Sequence, residues 1–354
     1  MKFDPERGHA SIRYSADVLI AGLAACAFLM ISVLSPRAQN AGQSQGHWAE
    51  ILAAAKKEGK VVAYFSAAAP ITQRLVDGFK AAHPDIPIEA VHYNSGELLS
   101  KVDTERNTGV DGADVVQSTD ENWFLARAKE GKLLHPDGPA AAGWPSAYLT
   151  DGAIIASGLN IIALPYSTVQ VNPPPTGFAD LLKPEFKGRI GISELASSTL
   201  LAFYDWLERT QGSDYLTKLK AQNPKLYTAG PAIAQAIASG EIAIGNVGIM
   251  NSITPLIKAG APVNYMVPSP SFGFAEYLGG VSWSKRPNAT LVLLDYLMSR
   301  TGQEVWHGEK DSASPLKNIP GSLDGSNVTL WNAADYPPEI IKSHTEHWNS
   351  IFKH

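Results

Sequence analysis

From residue 48 onward, short apolar runs alternate with segments whose apolar positions have helical spacing. Trp48 to Glu58 carries a helical pattern that stops at Gly59. Val61 to Phe65 is an apolar run of strand length. Pro70 opens a helix with Leu75, Val76 and Phe79 on one face, closed before Pro84. Ile86 to Tyr93 predicts a second strand, and the turn Asn94-Ser95-Gly96 leads into a helix over Glu97 to Arg106. Ala113 to Gln117 predicts a third strand, after which Ser118-Thr119-Asp120 caps a helix over Glu121 to Lys129. Strands separated by single helices specify βαβ units on a mostly parallel sheet.

The alternation breaks near residues 150–175 and then restarts. Two apolar segments, Ala153 to Ala156 and Asn160 to Leu164, precede a loop with Pro173-Pro174-Pro175. The second run predicts strands over Arg189 to Ile192, Ile242 to Gly245 and Val263 to Val267, with helices near Ser198 to Thr210, Asp214 to Ala221 and Pro231 to Ser239. Phe274 to Val281 predicts a further strand. Helices over Pro287 to Ser299 and Gly302 to His307, a long loop and a helix over Pro338 to Phe352 finish the chain. Two α/β lobes joined by extended crossings, with a cleft between them, is the simplest architecture for this order.

A length of 354 residues accommodates two domains with their own cores. With 45% hydrophobic and 18% charged side chains, the composition excludes a disordered chain. The net charge of −5 argues against a broad basic surface for nucleic acid. Cys26 is the single cysteine, which excludes a disulfide framework and a multi-cysteine metal site.

The first 41 residues read as a secretory signal peptide. Lys2, Arg7 and Arg13 precede an apolar run from Val18 to Leu34, and small residues follow up to Ala41. Cleavage after Ala38 or Ala41 would release a soluble protein into the periplasm. A membrane anchor is the competing reading, but 17 apolar residues only reach the lower limit of a span. Leu23-Ala24-Ala25-Cys26 resembles a lipobox, yet the apolar run continues well past the cysteine.

In open parallel sheets, ligands bind beyond the carboxyl ends of the strands, beside helix starts. The residues there are small or hydroxylic: Ser66 to Ala69, Asn94-Ser95-Gly96, Ser118-Thr119-Asp120, Glu194 to Thr199 and Asn246 to Asn251. Free N–H groups with Ser and Thr hydroxyls suit an anionic group. Each hydroxyl also has a plainer role as a helix cap, contributing about 1 kcal/mol. Asp120, Glu194 and Glu276 suit an amine instead, so the sign of the ligand charge stays open, and a zwitterion satisfies both sets. No nucleophile elbow, P-loop or H-E-x-x-H motif is present. His344 and His347 share a face of the last helix, a spacing that fits a metal or a solvated surface.

Three segments carry a family resemblance. Pro175-Thr176-Gly177-Phe178-Ala179-Asp180-Leu181-Leu182 runs into Pro184-Glu185-Phe186-Lys187-Gly188-Arg189-Ile190. Ser284-Lys285-Arg286-Pro287-Asn288-Ala289 leads through Leu297-Met298-Ser299 to Gly302-Gln303, and Gly112-Ala113-Asp114-Val115 precedes a strand. Together they resemble the extracellular solute-binding proteins of bacterial ABC importers, in the branch of ferric-ion and 2-aminoethylphosphonate binders.

That resemblance implies a two-lobed periplasmic-binding-protein fold of type II, each lobe a mostly parallel sheet flanked by helices, with a hinge of extended strands. It implies lobe one over 42–160, lobe two over 161–271, and a return over 272–354 that completes lobe one. It further implies a monomeric receptor that needs no cofactor, closes on a small solute and delivers it to a membrane permease and its ATPase. The candidate ligand set is Ser66, Ser95, Ser118, Asp120, Tyr166, Glu194, Ser197, Ser198, Thr199 and Asn246. Ferric binders of the branch carry adjacent tyrosines after the strand that ends here at Gly245. This chain has Asn246-Val247-Gly248-Ile249-Met250-Asn251 there, which favours an organic ligand over a hard cation needing phenolates. A ferric-ion-binding transport protein, an exported receptor for a membrane sensor and, behind these, an exported enzyme are the alternatives.

Overall fold

A computed structural model describes residues 36–353 of the chain. Most of the expected leader, Cys26 included, lies outside the described residues. At residue 36 the chain is already in the helix Pro36–Glu58. The compact body begins at His47.

Two mixed sheets organise the chain from His47 on, and each sheet with its covering helices forms one body, the first or the second. In the first, neighbouring strands run in the order Ile88–His92, Val61–Phe65, Val115–Ser118, Ser271–Val281, Ile154–Ile161 and Leu149–Thr150. The first three are parallel, as their helical crossovers require. The long strand Ser271–Val281 is antiparallel to both of its neighbours. In the second sheet the order is Val263–Met266, Leu164–Ser167, Ile244–Gly245, Ile190–Ser193 and Lys225–Tyr227. Its last three strands are parallel, and Leu164–Ser167 is antiparallel to both neighbours. The βαβ pattern thus accounts for the parallel part of each sheet. The antiparallel part comes from the strands that cross between the sheets, which no helical crossover directs.

Both faces of the first sheet are covered. All five residues of Val61–Phe65 are buried. Val61, Ala63 and Phe65 pack with Leu75, Phe79, Val292 and Trp306 on one face. Val62 and Tyr64 pack with Leu98, Val102 and Phe124 on the other. Side chains alternate across a strand, so a sheet covered twice requires an unbroken apolar run. The second core gathers Phe178, Phe203, Trp206, Leu219 and Ile233 around the second sheet.

Three differences from the sequence expectation have physical causes. The two apolar segments near 153–164 are one strand, Ile154–Ile161, whose eight residues are all buried, Ser157 and Gly158 among them. Its polar interruption is tolerated because Ser157 Oγ donates to the carbonyl of Glu276 at 3.1 Å. The chain then crosses: Ile162 N–H donates to Phe272 O in the first sheet, and Ala163 N–H to Gly248 O in the second body.

Met250–Lys258 is a helix, although Pro255 inside it and the polar Asn251-Ser252 mask its periodicity. The final helix, Pro338–Phe352, docks on the second body rather than completing the first. Trp348 and Phe352 enter the second core, with the Trp348 ring 5.8 Å from that of Tyr204. Strand Val328–Leu330, paired in parallel with Ser271–Gly273, leads the chain to that last crossing.

Candidate functional site

A cavity of about 250 Å³ lies where the two bodies meet, against the long crossing strand. Ser66, Gln117, Asn160 and Glu276 line it from the first body, and Pro231, Asn251 and Ser252 from the second. Four helix starts lie beside it: Ser66 and Ala67 precede Ala69–Ala82, Thr119 precedes Glu121–Lys129, Pro231 opens Gly230–Ala238, and Ile249 caps Met250–Lys258. Two larger hollows, of about 710 and 510 Å³, lie on the first body, and one of about 340 Å³ lies beside the last helix, between Asp205 and Leu330. At about 250 Å³ the space falls just below the roughly 300–1,000 Å³ of drug-sized ligand pockets, a size for a small solute.

Glu276 is the charged side chain of this cavity, and a bulge in the sheet places it. Glu276 pairs with Gly158 and Tyr277 with Ala156, so Ser157 is left without a register partner. Such a bulge re-aims a side chain out of the regular alternation. Glu276 as a whole is only 6% exposed. Asn160 Nδ2 donates to Oε1 at 2.8 Å, and Gln117 Nε2 donates to Oε2 at 3.3 Å. Burial pushes the acid's pKa up; the Asn160 hydrogen bond opposes that shift, and the charge of Asp311 adds to it.

Gln117 itself is locked. Its Oε1 accepts the backbone N–H groups of Ser66 and Ala67, both at 2.9 Å. A turned amide would set its NH₂ against those two N–H donors and its oxygen against the Glu276 carboxyl. The Gln117 Nε2 must therefore face Glu276.

Beneath Glu276 sits a second buried titratable group. His307 is fully buried, with Nε2 3.1 Å from Ser157 O and Nδ1 2.6 Å from Ser312 Oγ. A carbonyl can only accept, so Nε2 carries the proton and Nδ1 accepts from the serine. Burial lowers the imidazole pKa to about 4.

Residues 74–327 match the family described as bacterial extracellular solute-binding protein. The chain belongs to that family. Solved structures agree on the two-lobed fold. A substrate-binding protein of an ABC transporter from Agrobacterium tumefaciens superposes with a TM-score of 0.66 at 17% identity, covering 83% of this chain and 96% of that one. Iron-bound HitA from Pseudomonas aeruginosa gives 0.62 at 17% identity, covering 83% and 99%. AfuA from Actinobacillus pleuropneumoniae, with fructose-6-phosphate bound, gives 0.60 at 20% identity, again covering 83% and 99%. A search of curated proteins by sequence found no match.

In this solute-binding protein, Ser66 lines the cavity, and its backbone N–H and that of Ala67 hold Gln117. Ser95 opens the helix Ser95–Thr108. Ser118 is fully buried and accepts from Asp120 N–H at 3.3 Å, while Asp120 caps its helix by accepting from Trp123 N–H at 3.3 Å. The N–H of Glu194 donates to Tyr227 O at 2.7 Å. Ser197 is the N-cap of Ser198–Gln211 and accepts from Leu200 N–H at 3.2 Å. Ser198 and Thr199 stand half-buried in its first turn, outside the residues that line the cavity.

Two residues of the expected set have internal tasks instead. Asn246 is wholly buried: its Oδ1 accepts from Ser193 N–H at 3.1 Å and its Nδ2 donates to Tyr204 Oη at 3.0 Å. Tyr166 is buried in the second core, on a strand paired with Ile244 and Asn264. Both positions lie at strand ends by sequence, but a strand end covered by its own helices faces inward. His344 and His347 go to separate acids, Asp205 at 3.8 Å and Glu208 at 3.1 Å. Among the described residues, no group of three or more metal-ligating side chains is assembled.

Gln117 and Asn160 were not legible as site residues. Each sits inside a strand, where sequence marks a polar residue only as an interruption. The readable signal was the conflict itself: an amide in a run otherwise apolar on both faces.

Proposed function

We propose that this protein captures a small organic solute, anionic or zwitterionic, in the periplasm and delivers it to an ABC permease and its ATPase. The cavity between the two bodies carries this reading, because it is lined from both sides and crossed by the strand that joins them. Rotation of one body against the other would open or close it. In this reading the protein works as a monomer and by binding alone, its cavity offering hydrogen-bond donors and one carboxyl. The sugar phosphate of the Actinobacillus relative is the kind of ligand that such helix starts suit.

A ferric ion is the second reading, favoured by the iron-bound Pseudomonas relative. The residues lining the cavity oppose it. Among the described residues they include one carboxyl and no tyrosine, whereas a hard trivalent cation needs several anionic oxygens.

A thermal-shift screen of organic acids, phosphate esters, amino acids and ferric citrate tests the proposal. At about 100 times Kd, a true ligand adds roughly 2.7 kcal/mol of stability. Stabilisation by ferric citrate alone, with a visible phenolate charge-transfer band, would replace this reading with the ferric one. No stabilisation by any solute would remove it.

A further inference from the structure

We infer that Glu276 is the residue that selects the solute, by receiving a cationic nitrogen on its carboxylate at the floor of the cavity. This inference rests on the capture reading above and narrows it to solutes that carry an ammonium or similar group.

Both carboxyl oxygens of Glu276 accept hydrogen bonds from carboxamide N–H groups, Asn160 on one side and Gln117 on the other. Gln117 is held in that orientation by two backbone donors, so this arrangement is built rather than incidental. Two N–H donors, one to each oxygen, suit a carboxylate; a protonated acid would turn its O–H toward an NH₂ group. Burial works against the same charge. The site therefore holds a carboxylate geometry without a counter-charge.

The surrounding groups do not supply one. Among the described residues, no Lys or Arg lines the cavity. Asp311, whose charge reaches Glu276, is acidic and is paired with Arg74 at 2.5 Å. His307, reached across Gly158, keeps its two nitrogens on Ser157 and Ser312, and burial holds it neutral. Trp306 is neutral. A cation entering the cavity with the solute completes the pair, and charge-assisted hydrogen bonds of this kind are about twice as strong as neutral ones. The helix starts at Pro231 and Ile249, across the cavity, then face the solute's other end.

The test uses matched pairs of solutes that differ only in the amine: 4-aminobutyrate against butyrate, 2-aminoethylphosphonate against ethylphosphonate, and phosphoethanolamine against ethyl phosphate. Calorimetry on the wild-type protein is expected to show binding by an amine member and at least tenfold weaker binding by its partner. Glu276→Gln, which keeps size and removes charge, is expected to abolish that preference. Equal affinity within each pair overturns the inference and leaves the capture reading standing. Binding of non-amine solutes that Glu276→Gln does not alter also overturns it. If no solute of any class binds, the capture reading fails first. The wild-type pairs need no variant, so the inference stays testable even if Glu276→Gln does not fold.

Discussion

Asp114, fully buried, accepts from Nε of Arg286 at 2.7 Å and ties the return of the chain to the first sheet. The same carboxylate accepts Val62 N–H at 2.7 Å and the Ser284 hydroxyl at 2.5 Å. Arg286 uses its remaining nitrogens on Asp111, at 2.8 and 2.9 Å. Removing one partner strands the other in the interior. Arg286→Met is expected to cost about 3–5 kcal/mol, read by urea unfolding. A cost below 1 kcal/mol would show the pair to be dispensable.

His307 predicts acid sensitivity. Its pKa falls from an ordinary 6.5 to about 4 in the folded protein, so the unfolded chain binds the proton first. The stability it contributes is fully present above pH 6.5 and is lost as pH falls toward 4, up to about 3 kcal/mol in all. Glu276 acts oppositely, because its raised pKa lowers stability as pH rises above its ordinary 4.5. The difference between wild type and His307→Gln isolates the histidine: unfolding at pH 7 and pH 5 should show a shallower loss in the variant.

Gly158 separates the two buried titratable groups. A Cβ at that position would lie 2.6 Å from His307 Cε1 and 3.6 Å from Glu276 Oε2. His307 is pinned by two hydrogen bonds and cannot easily withdraw. Gly158→Ala is expected to destabilise by about 1–3 kcal/mol through overpacking. Loss of solute affinity should accompany it, measured by calorimetry beside an unfolding curve.

Ser197 and its neighbours predict a separation of stability from binding. Ser197 accepts the Leu200 N–H, so Ser197→Ala should lower stability by about 1 kcal/mol. It should leave solute affinity unchanged, because the residue lies outside those lining the cavity. Ser198→Ala and Thr199→Ala are expected to behave likewise in affinity. A tenfold loss in any of the three would extend the binding site to this helix start.

The regular part of the fold was legible because its signals are local. Glu121–Lys129 and Pro338–Phe352 follow directly from caps, prolines and periodicity. The destination of Pro338–Phe352 was not legible, since an amphipathic face does not say which body it covers. The site was half legible for the same reason. Ser66 was readable as a strand end beside a helix start. Asn160 and Gln117 were not, because their partner, Glu276, is 116 and 159 residues away along the chain. Asn246 misled because a polar residue after a strand looks the same whether it faces a ligand or a neighbouring backbone.

The last helix gives the chain an odd number of passages between its two bodies: near residue 162, near residue 270 and after Leu330. Trp48 therefore packs in the first body, while Phe352 packs in the second. If the bodies rotate as proposed, three connecting segments would have to flex together, which would confine the motion more tightly than two. The ends of the folded chain also become a natural ruler. Fluorophores placed beside Trp48 and at Lys353 would report each opening and closing as a change in energy transfer, without a label near the cavity.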